Sequence, residues 1–202
     1  MPKLEFWYDF ASTYSYLSAI RIEAMAKPAQ VEIIYRPFLL GPIFKSYGWN
    51  TSPFRLFPVK GNHMVRDITR IAGDRGSAFH MPEVFPANSL QAARMALVAE
   101  EQGCIGSFTR LVFEAEFSER RDISDAAALS GIAGKLGLDA ARGSDPAIKD
   151  RLRAQTERAA TLGIFGAPTF VTDSGELFWG DDRLEQALTW ASRAIPHPST
   201  SV

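Results

Sequence analysis

The sequence of 202 residues contains very little cysteine and histidine. Cys104 is its only cysteine, so the chain can form no internal disulfide and carries no Cys-x-x-Cys motif. A single cysteine is typical of a reducing compartment, and we therefore expect a cytoplasmic protein. The three histidines are His63, His80 and His197. Metal sites and Ser-His-Asp triads need more His and Cys than this, so no metal is expected.

The common catalytic and phosphate-binding motifs are also missing. The chain has no Gly-x-Ser-x-Gly, no His-Glu-x-x-His, no Walker-type loop and no Gly-x-Gly-x-x-Gly. Any nucleophile must therefore be a hydroxyl without an obvious base, or it must come from outside the chain.

Neither sign of charge is in excess, and no long apolar run occurs. Lys and Arg number 22 against 23 Asp and Glu, which gives a net charge of -1. This balance predicts no binding to nucleic acid or to an anionic membrane. No run approaches the roughly 20 apolar residues of a spanning helix, and the N-terminal residues do not resemble a signal peptide.

The chain does contain enough apolar residues, 46%, for a packed core. Residues 3–8, KLEFWY, are predicted to form a strand, and Ser12 to Lys27 a helix that Pro28 ends. The β-branched and aromatic run QVEIIYRPFLL predicts a second strand. Residues 37–62 are rich in Pro, Gly and aromatics and are expected to be irregular.

A long helical stretch follows, in which Asp145 is predicted to cap a helix that has Pro146 at its first position. APTFVTDSGELFWG then predicts a hairpin, and a last helix is expected from about Asp182 to Ala194. Without the helical block, the order is β-α-β…β-β-α, which is that of a thioredoxin-like α/β domain. We predict this domain over residues 1–49 and 161–195, an all-helical insertion over 50–160, and a flexible tail over 196–202.

The stretch YDFASTYSYL places Ser12 and Ser15 on the first turn of the predicted first helix, where thiol–disulfide proteins of this layout carry two cysteines. Serine is a good helix N-cap, and on this stretch alone plain capping is the favoured interpretation. A catalytic serine nucleophile would need a base, and no histidine or lysine lies nearby in the sequence. The third possibility is that the hydroxyl stabilises an anion at the helix start.

That anion could be the sulfur of an external thiol. Lowering a thiol pKa from ~8.5 by about two units requires roughly 2.7 kcal/mol. One charge-assisted hydrogen bond contributes roughly 1.5–3 kcal/mol, and the helix end adds about 0.3–1 kcal/mol. A single serine hydroxyl at this place could therefore activate a bound thiol without a base.

Two further segments fit a ligand at the same place. Most bonds before proline are trans, so GIFGAPTFV alone favours a trans bond between Ala167 and Pro168. In the thioredoxin layout, however, a cis bond there would free the backbone N–H and C=O of Ala167 to pair with a peptide-like ligand. In FWGDDRLE, Asp181 and Asp182 begin the last helix. They could cap that helix, or one carboxylate could hold a ligand's ammonium group.

Taken together, YDFASTYSYL, GWNTSPF, GIFGAPTFV and ELFWGDDRLE resemble, in order, motifs of the 2-hydroxychromene-2-carboxylate isomerases and the related kappa-class glutathione transferases. Both belong to the DsbA-like branch of the thioredoxin fold, and the resemblance covers about residues 3–195. It implies glutathione as cofactor, an aromatic small-molecule substrate, a role in aromatic catabolism, and a homodimer. Thr13 stands where many relatives have proline, which is a departure from the family pattern.

The resemblance also implies roles for individual residues. Ser12 would be the catalytic residue that faces the glutathione sulfur, and Ser15 would support the helix start. Ala167, before Pro168, would pair with the cysteinyl backbone. Gly180, Asp181 and Asp182 would hold the γ-glutamyl end; Asp182 matches the usual family acid, whereas relatives often have a neutral polar residue in place of Asp181.

The segment FKSYGWNTSPF contains the expected substrate-binding residues Lys45, Trp49 and Asn50. Lys45 could pair with a substrate carboxylate and Trp49 could stack on an aromatic ring. The alternatives, a rim charge and a packed aromatic, are nearly as well supported.

Three functions follow from this sequence. The first is a glutathione-dependent cis–trans isomerase that acts on an aromatic enone carboxylate by reversible thiol addition. The second is a glutathione transferase or peroxidase that uses the same site and consumes glutathione. The third is a non-catalytic thioredoxin-like module that binds peptides. A disulfide oxidoreductase is disfavoured, because Cys104 has no partner cysteine.

Overall fold

The computed structural model describes residues 1–193, and within them one mixed sheet has the strand order β2-β1-β3-β4. The strands are β1 (Lys3–Tyr8), β2 (Glu32–Pro37), β3 (Thr169–Thr172) and β4 (Leu177–Trp179). β2 runs parallel to β1, whereas β3 is antiparallel to both β1 and β4. This is the thioredoxin-like α/β fold that the element order predicts.

The helices within residues 1–193 are α1 (Thr13–Ala19), α2 (Ile22–Ala29), α3 (Leu40–Ser46), α4 (Pro53–Leu56), α5 (Pro58–Asp74), α6 (Leu90–Glu101), α7 (Ile105–Phe117), α8 (Ala126–Lys135), α9 (Pro146–Thr161) and α10 (Leu184–Ser192). Short 3-10 helices cover Ala140–Ser144 and Asp181–Arg183. α4 to α9 lie between β2 and β3, where the helical insertion was expected. None of the helices in the described part of the chain is both long and apolar enough to cross a membrane.

The prediction of one helix from Ser12 to Lys27 is wrong. The helix breaks after Ala19, because Arg21 leaves helical geometry (φ -128°, ψ -16°) and its guanidinium reaches Asp181 at the other end of the chain. Pro28 lies inside α2 rather than ending it. The actual stop is Gln30, which adopts a left-handed conformation with φ 53°.

The expectation of irregular structure over 37–62 is also wrong, because α3, α4 and the start of α5 lie there. Pro53 and Pro58 begin α4 and α5, where the missing N–H costs no helical hydrogen bond. Pro146 begins α9 as predicted, but the carboxylate of Asp145 makes no capping bond and pairs with Arg142 at 3.4 Å instead.

The C-terminal elements match the prediction more closely. The predicted hairpin is present, with Gly175 at φ 84° in its turn. The last helix, α10, begins at Leu184 after the 3-10 turn. The expected tail over 196–202, and Ala194, lie outside the described residues.

Side chains alternate along β1 between the two faces of the sheet. Leu4, Phe6 and Tyr8 are buried in the main core, into which α1, α6, α7 and α10 also pack. Trp7 lies on the opposite face in a smaller cluster completed by Phe38, Ile43, Ala159, Ile164 and Val171. The carboxyl end of β1 therefore leads directly into the start of α1, between these two layers.

Candidate active site

Ser12 caps α1 and forms the centre of the candidate site. Its Oγ accepts the N–H of Ser15 at 3.2 Å, and its hydroxyl donates to the carbonyl of Ala167 at 3.0 Å. The residue is 9% exposed. The Ser12 hydroxyl therefore caps α1 and also bonds to the turn before β3, so that it connects the two segments.

The turn before β3 contains the cis Ala167–Pro168 bond that was anticipated from the resemblance. The hydroxyl of Thr169 donates to the carbonyl of Gly166 at 2.9 Å, and the N–H of Gly180 donates to that of Pro168 at 3.0 Å. The carbonyl of Ala167 was expected to be free, but it accepts a hydrogen bond from the Ser12 hydroxyl instead. The expected meeting of Ser12 with this turn is nevertheless present.

Ser15 contributes its backbone rather than its side chain to the helix start. Its N–H is held by Ser12, but its own Oγ is fully buried and has no hydrogen-bond partner within residues 1–193. The hydroxyl at this position therefore does not reach the surface on which a ligand would lie.

Asp181 and Asp182, although adjacent, lie in very different surroundings. The side chain of Asp181 is 2% exposed, and its Oδ1 accepts the hydroxyl of Ser18 at 2.9 Å. Arg21 lies 3.1 Å from the same oxygen, and Arg75 lies 2.8 Å from Oδ2. Two guanidinium groups thus compensate this carboxylate inside the protein.

The side chain of Asp182, in contrast, is 73% exposed, and its nearest basic partner is Arg183 at 3.7 Å. Gly180 precedes the pair with φ 112°, and a Cβ at this position would approach Oδ1 of Asp182 to 2.5 Å. Asp182 is therefore the accessible carboxylate of this turn.

Lys45, Trp49 and Asn50 lie at and just beyond the end of α3. Lys45 and Asn50 are exposed, whereas Trp49 is half-buried against Phe44 and Tyr47, with ring centroids at 5.7 and 6.1 Å. Packing thus accounts for part of the burial of Trp49. The segment carries charge and aromatic surface, but none of its three predicted residues contacts Ser12 through a hydrogen bond.

Sequence reasoning missed Asp9, which lies between β1 and Ser12. Asp9 is 4% exposed, and its carboxylate accepts the N–H groups of Ala11 at 2.9 Å and of Leu40 at 2.7 Å. Burial raises the pKa of this carboxyl group, while its hydrogen bonds oppose the rise. A single acid in the otherwise apolar run FWYDF was the signal that could have identified it.

The cover that α5 forms over α1 was also missed. The hydroxyl of Tyr14 donates to Asp67 at 2.8 Å, and that of Thr13 lies 3.6 Å from the sulfur of Met64. Burial is the largest cause of a raised pKa for Tyr14, and the charge of Asp67 adds to it. Residues of the helical block therefore enclose the helix start that carries Ser12.

Comparisons with known proteins agree with this geometry. Residues 3–189 match the family model of the DSBA-like thioredoxin domain. The chain is 31% identical over 192 residues to the 2-hydroxychromene-2-carboxylate isomerase of Pseudomonas putida, which covers 90% of each chain. It is 26% identical over 203 residues to glutathione S-transferase kappa 1 of Rattus norvegicus, covering 90% of this chain and 87% of that one. A solved 2-hydroxychromene-2-carboxylate isomerase superposes with a TM-score of 0.83 at 25% identity, over 93% of each chain.

Proposed function

The chain belongs to the DSBA-like thioredoxin family and, within it, to the 2-hydroxychromene-2-carboxylate isomerases and kappa-class relatives, and from this premise we propose that it is a glutathione-dependent cis–trans isomerase. Its substrate would be an aromatic enone carboxylate. The observation that carries the proposal is the Ser12 hydroxyl, placed at the start of α1 and 3.0 Å from the carbonyl that precedes a cis proline.

The donor set fits a γ-glutamyl thiol peptide. The Ser12 hydroxyl, which donates to the carbonyl of Ala167, would turn toward a sulfur anion and so release that carbonyl for the N–H of a peptide. Asp182 offers an exposed carboxylate for an ammonium group, whereas Asp181 is already paired with Arg21 and Arg75. The only thiol of the chain, Cys104, lies at the start of α7 instead. The reactive sulfur would therefore belong to the ligand.

When bound, glutathione would supply a thiol for reversible addition to the conjugated double bond, and the loss of double-bond character would permit the rotation. The task of Ser12 is to donate its hydrogen bond to the sulfur anion. Because α1 has only seven residues, its dipole contributes little, and the hydroxyl group must provide most of the roughly 2.7 kcal/mol that a pKa lower by about two units requires. A charge-assisted bond of roughly 1.5–3 kcal/mol is sufficient.

The other predicted residues bind and orient. Ala167 and Pro168 would align the cysteinyl backbone, and Gly180 leaves room for the turn that presents Asp182. Lys45 would pair with the substrate carboxylate, while Trp49 and Asn50 would border its ring. Lys45 and Asn50 are exposed, which suits a segment that contacts the substrate only after it has bound.

Replacement of Ser12 by Ala tests the mechanism. We expect the pKa of the bound glutathione thiol, read from thiolate absorbance against pH, to rise by about one to two units. Turnover should fall about 10- to 100-fold at neutral pH, and Ser12→Cys should keep part of it. Equal turnover in Ser12→Ala would discard the mechanism.

Asp125→Ala is the matched control, because Asp125 caps α8 through a bond of 2.9 Å to the N–H of Ala127, far along the chain from the site. This variant should lose about 1 kcal/mol of stability, as is usual for a lost cap, without a change in the bound thiol pKa.

A glutathione transferase or peroxidase is the second candidate, favoured by the similarity to the rat kappa-class protein. The two functions differ in stoichiometry: an isomerase leaves the glutathione concentration constant during turnover, whereas conjugation or peroxide reduction lowers it. If calorimetry detects no binding of glutathione but does detect an extended peptide, the chain is instead a peptide-binding module.

We further propose a cytoplasmic homodimer. The lone cysteine supports a reducing compartment, and the dimer is proposed from the family resemblance. Light scattering coupled to size exclusion would give twice the chain mass of 22.3 kDa for a dimer.

A further inference from the structure

The Asp9 carboxylate lies directly beneath the segment that carries Ser12. Its Oδ1 accepts the N–H of Ala11 at 2.9 Å, while the Asp9 carbonyl accepts the N–H of Ser12 at 2.9 Å. One residue thereby fixes the backbone of the turn from β1 into α1. The orientation of the Ser12 hydroxyl depends on this turn.

The second carboxylate oxygen of Asp9 belongs to a different part of the site. Oδ2 accepts the N–H of Leu40 at 2.7 Å. Leu40 is the first residue of α3, and the residue in the capping position, Leu39, provides no side-chain bond. Asp9 therefore acts as the missing cap of α3 from 31 residues away.

The carboxylate is held by hydrogen bonds rather than by opposite charge. Within residues 1–193, no arginine or lysine forms an ion pair with Asp9. Backbone N–H groups have fixed directions, so a carboxylate shared between two of them sets the relative position of the segments that carry them.

From these contacts, which link the Ser12 turn to the helix that bears Lys45, we propose that Asp9 is a positioning residue that sets the spacing between the thiol site and the acceptor-substrate segment. The inference rests on the proposed function and deepens it. Asp9 touches neither ligand; it acts through Ser12 on one side and through α3 on the other.

Amide hydrogen exchange tests the two links without any ligand. In Asp9→Asn, one carboxylate oxygen becomes an NH₂ group that cannot accept, so either the amide of Ala11 or that of Leu40 loses its acceptor and should exchange about tenfold faster or more. Glu116→Leu is the reciprocal control, because buried Glu116 accepts the N–H of Ile123 at 3.0 Å and leucine offers no acceptor in its place. That variant should accelerate Ile123 alone, and Asp9→Asn should leave Ile123 unchanged.

The effect of the Asp9–Leu40 hydrogen bond on catalysis is tested by variants of Leu40, the residue that donates the N–H. Leu40→Pro removes the N–H that Asp9 accepts together with the leucine side chain, at a first helical position that suits proline, and it leaves Asp9 itself in place. Leu40→Ala is matched to it, since that variant loses the side chain but retains the N–H. Relative to Leu40→Ala, we expect Leu40→Pro to lower kcat about tenfold and to leave the Kd for glutathione within about twofold.

The results separate this inference from the proposed function. Unchanged exchange at both Ala11 and Leu40 in Asp9→Asn, or equal kcat in the two Leu40 variants of an active enzyme, would overturn the positioning role. A wild-type chain that neither binds glutathione nor isomerises would end the proposed function, yet the exchange pattern would still decide whether Asp9 holds the two segments. If Asp9→Asn does not fold, amide exchange along α3 in Leu40→Pro against Leu40→Ala gives the same answer.

Discussion

The two ends of the candidate site each rest on a buried carboxylate, but the protein compensates the two charges differently. Asp181, below the turn that presents Asp182, is surrounded by the charges of Arg21 and Arg75 and by the hydroxyl of Ser18. Asp9, below the turn that presents Ser12, is held by the backbone N–H groups of Ala11 and Leu40, without a basic partner within residues 1–193.

The difference shows which property each end needs. Arginine side chains are long and can follow a moving carboxylate, so the Asp181 cluster chiefly joins elements: Ser18 comes from α1, Arg75 from just beyond α5, and Asp181 from the 3-10 helix before α10. Backbone N–H groups cannot adjust in this way. The chemistry at Ser12 requires a defined direction for one hydroxyl, and rigid donors around Asp9 provide it.

The largest effect is expected from Asp181→Ala. This change leaves Arg21 and Arg75 without their shared partner, and because both guanidinium groups are partly solvated the loss should be about 3 kcal/mol of the free energy of unfolding. Urea titration measures it. A loss below about 1 kcal/mol would mean that water solvates Arg21 and Arg75 well enough to replace Asp181. The ion pairs at this end would then not be the structural link that distinguishes it from the Asp9 end.

Glu116 is a third buried carboxyl group, outside the site, and it allows the effect of burial on stability to be measured as a function of pH. Burial raises the pKa of Glu116 to about 7. A group whose folded pKa exceeds its unfolded pKa stabilises the fold at low pH and loses this contribution as pH rises toward the folded value. The free energy of unfolding should therefore fall by about 2–3 kcal/mol between about pH 4.5 and 7 on account of Glu116. Urea titrations of Glu116→Gln across this range should show a fall that is smaller by this amount, and parallel pH curves would contradict the assignment.

A smaller loss of stability is expected from Asp9→Asn, about 1–2 kcal/mol, because the amide can still accept one of the backbone bonds. The comparison predicts that this variant loses less stability than Asp181→Ala but more catalytic turnover. Urea titration and initial rates, measured on the same preparations, provide the check. The opposite order would assign the Asp181 cluster the more important role in positioning.

The smallest effect on stability is expected from Asp182→Asn, within about 0.5 kcal/mol, since the carboxylate is exposed and only weakly paired. Its effect should appear instead in the affinity for glutathione, which we expect to fall about tenfold through loss of the ammonium contact. Calorimetry against S-methyl glutathione isolates this end of the ligand from the thiol. Unchanged affinity would remove Asp182 from the binding site.

Residues adjacent in the sequence were predicted well. Ser12 as the cap of the first helix and the DSG hairpin each depend on a few consecutive residues, and each is present. The cis bond before Pro168 is also present, but it was expected from the family resemblance, since the local sequence by itself favours a trans bond. The single helix from Ser12 to Lys27 failed for the opposite reason. Its break at Arg21 comes with an ion pair to Asp181, 160 residues away, which no local pattern reveals.

The sequence by itself determined the thioredoxin-like order of elements, the serine at the helix start and the absence of any cysteine beside it, because these depend on composition and on short-range periodicity. Only the tertiary structure decided that Asp181 is compensated while Asp182 is accessible, and that Asp9 bonds to both α3 and the turn before α1. Whether a carboxylate is buried, and by what it is compensated, depends on groups that folding brings together from distant parts of the chain.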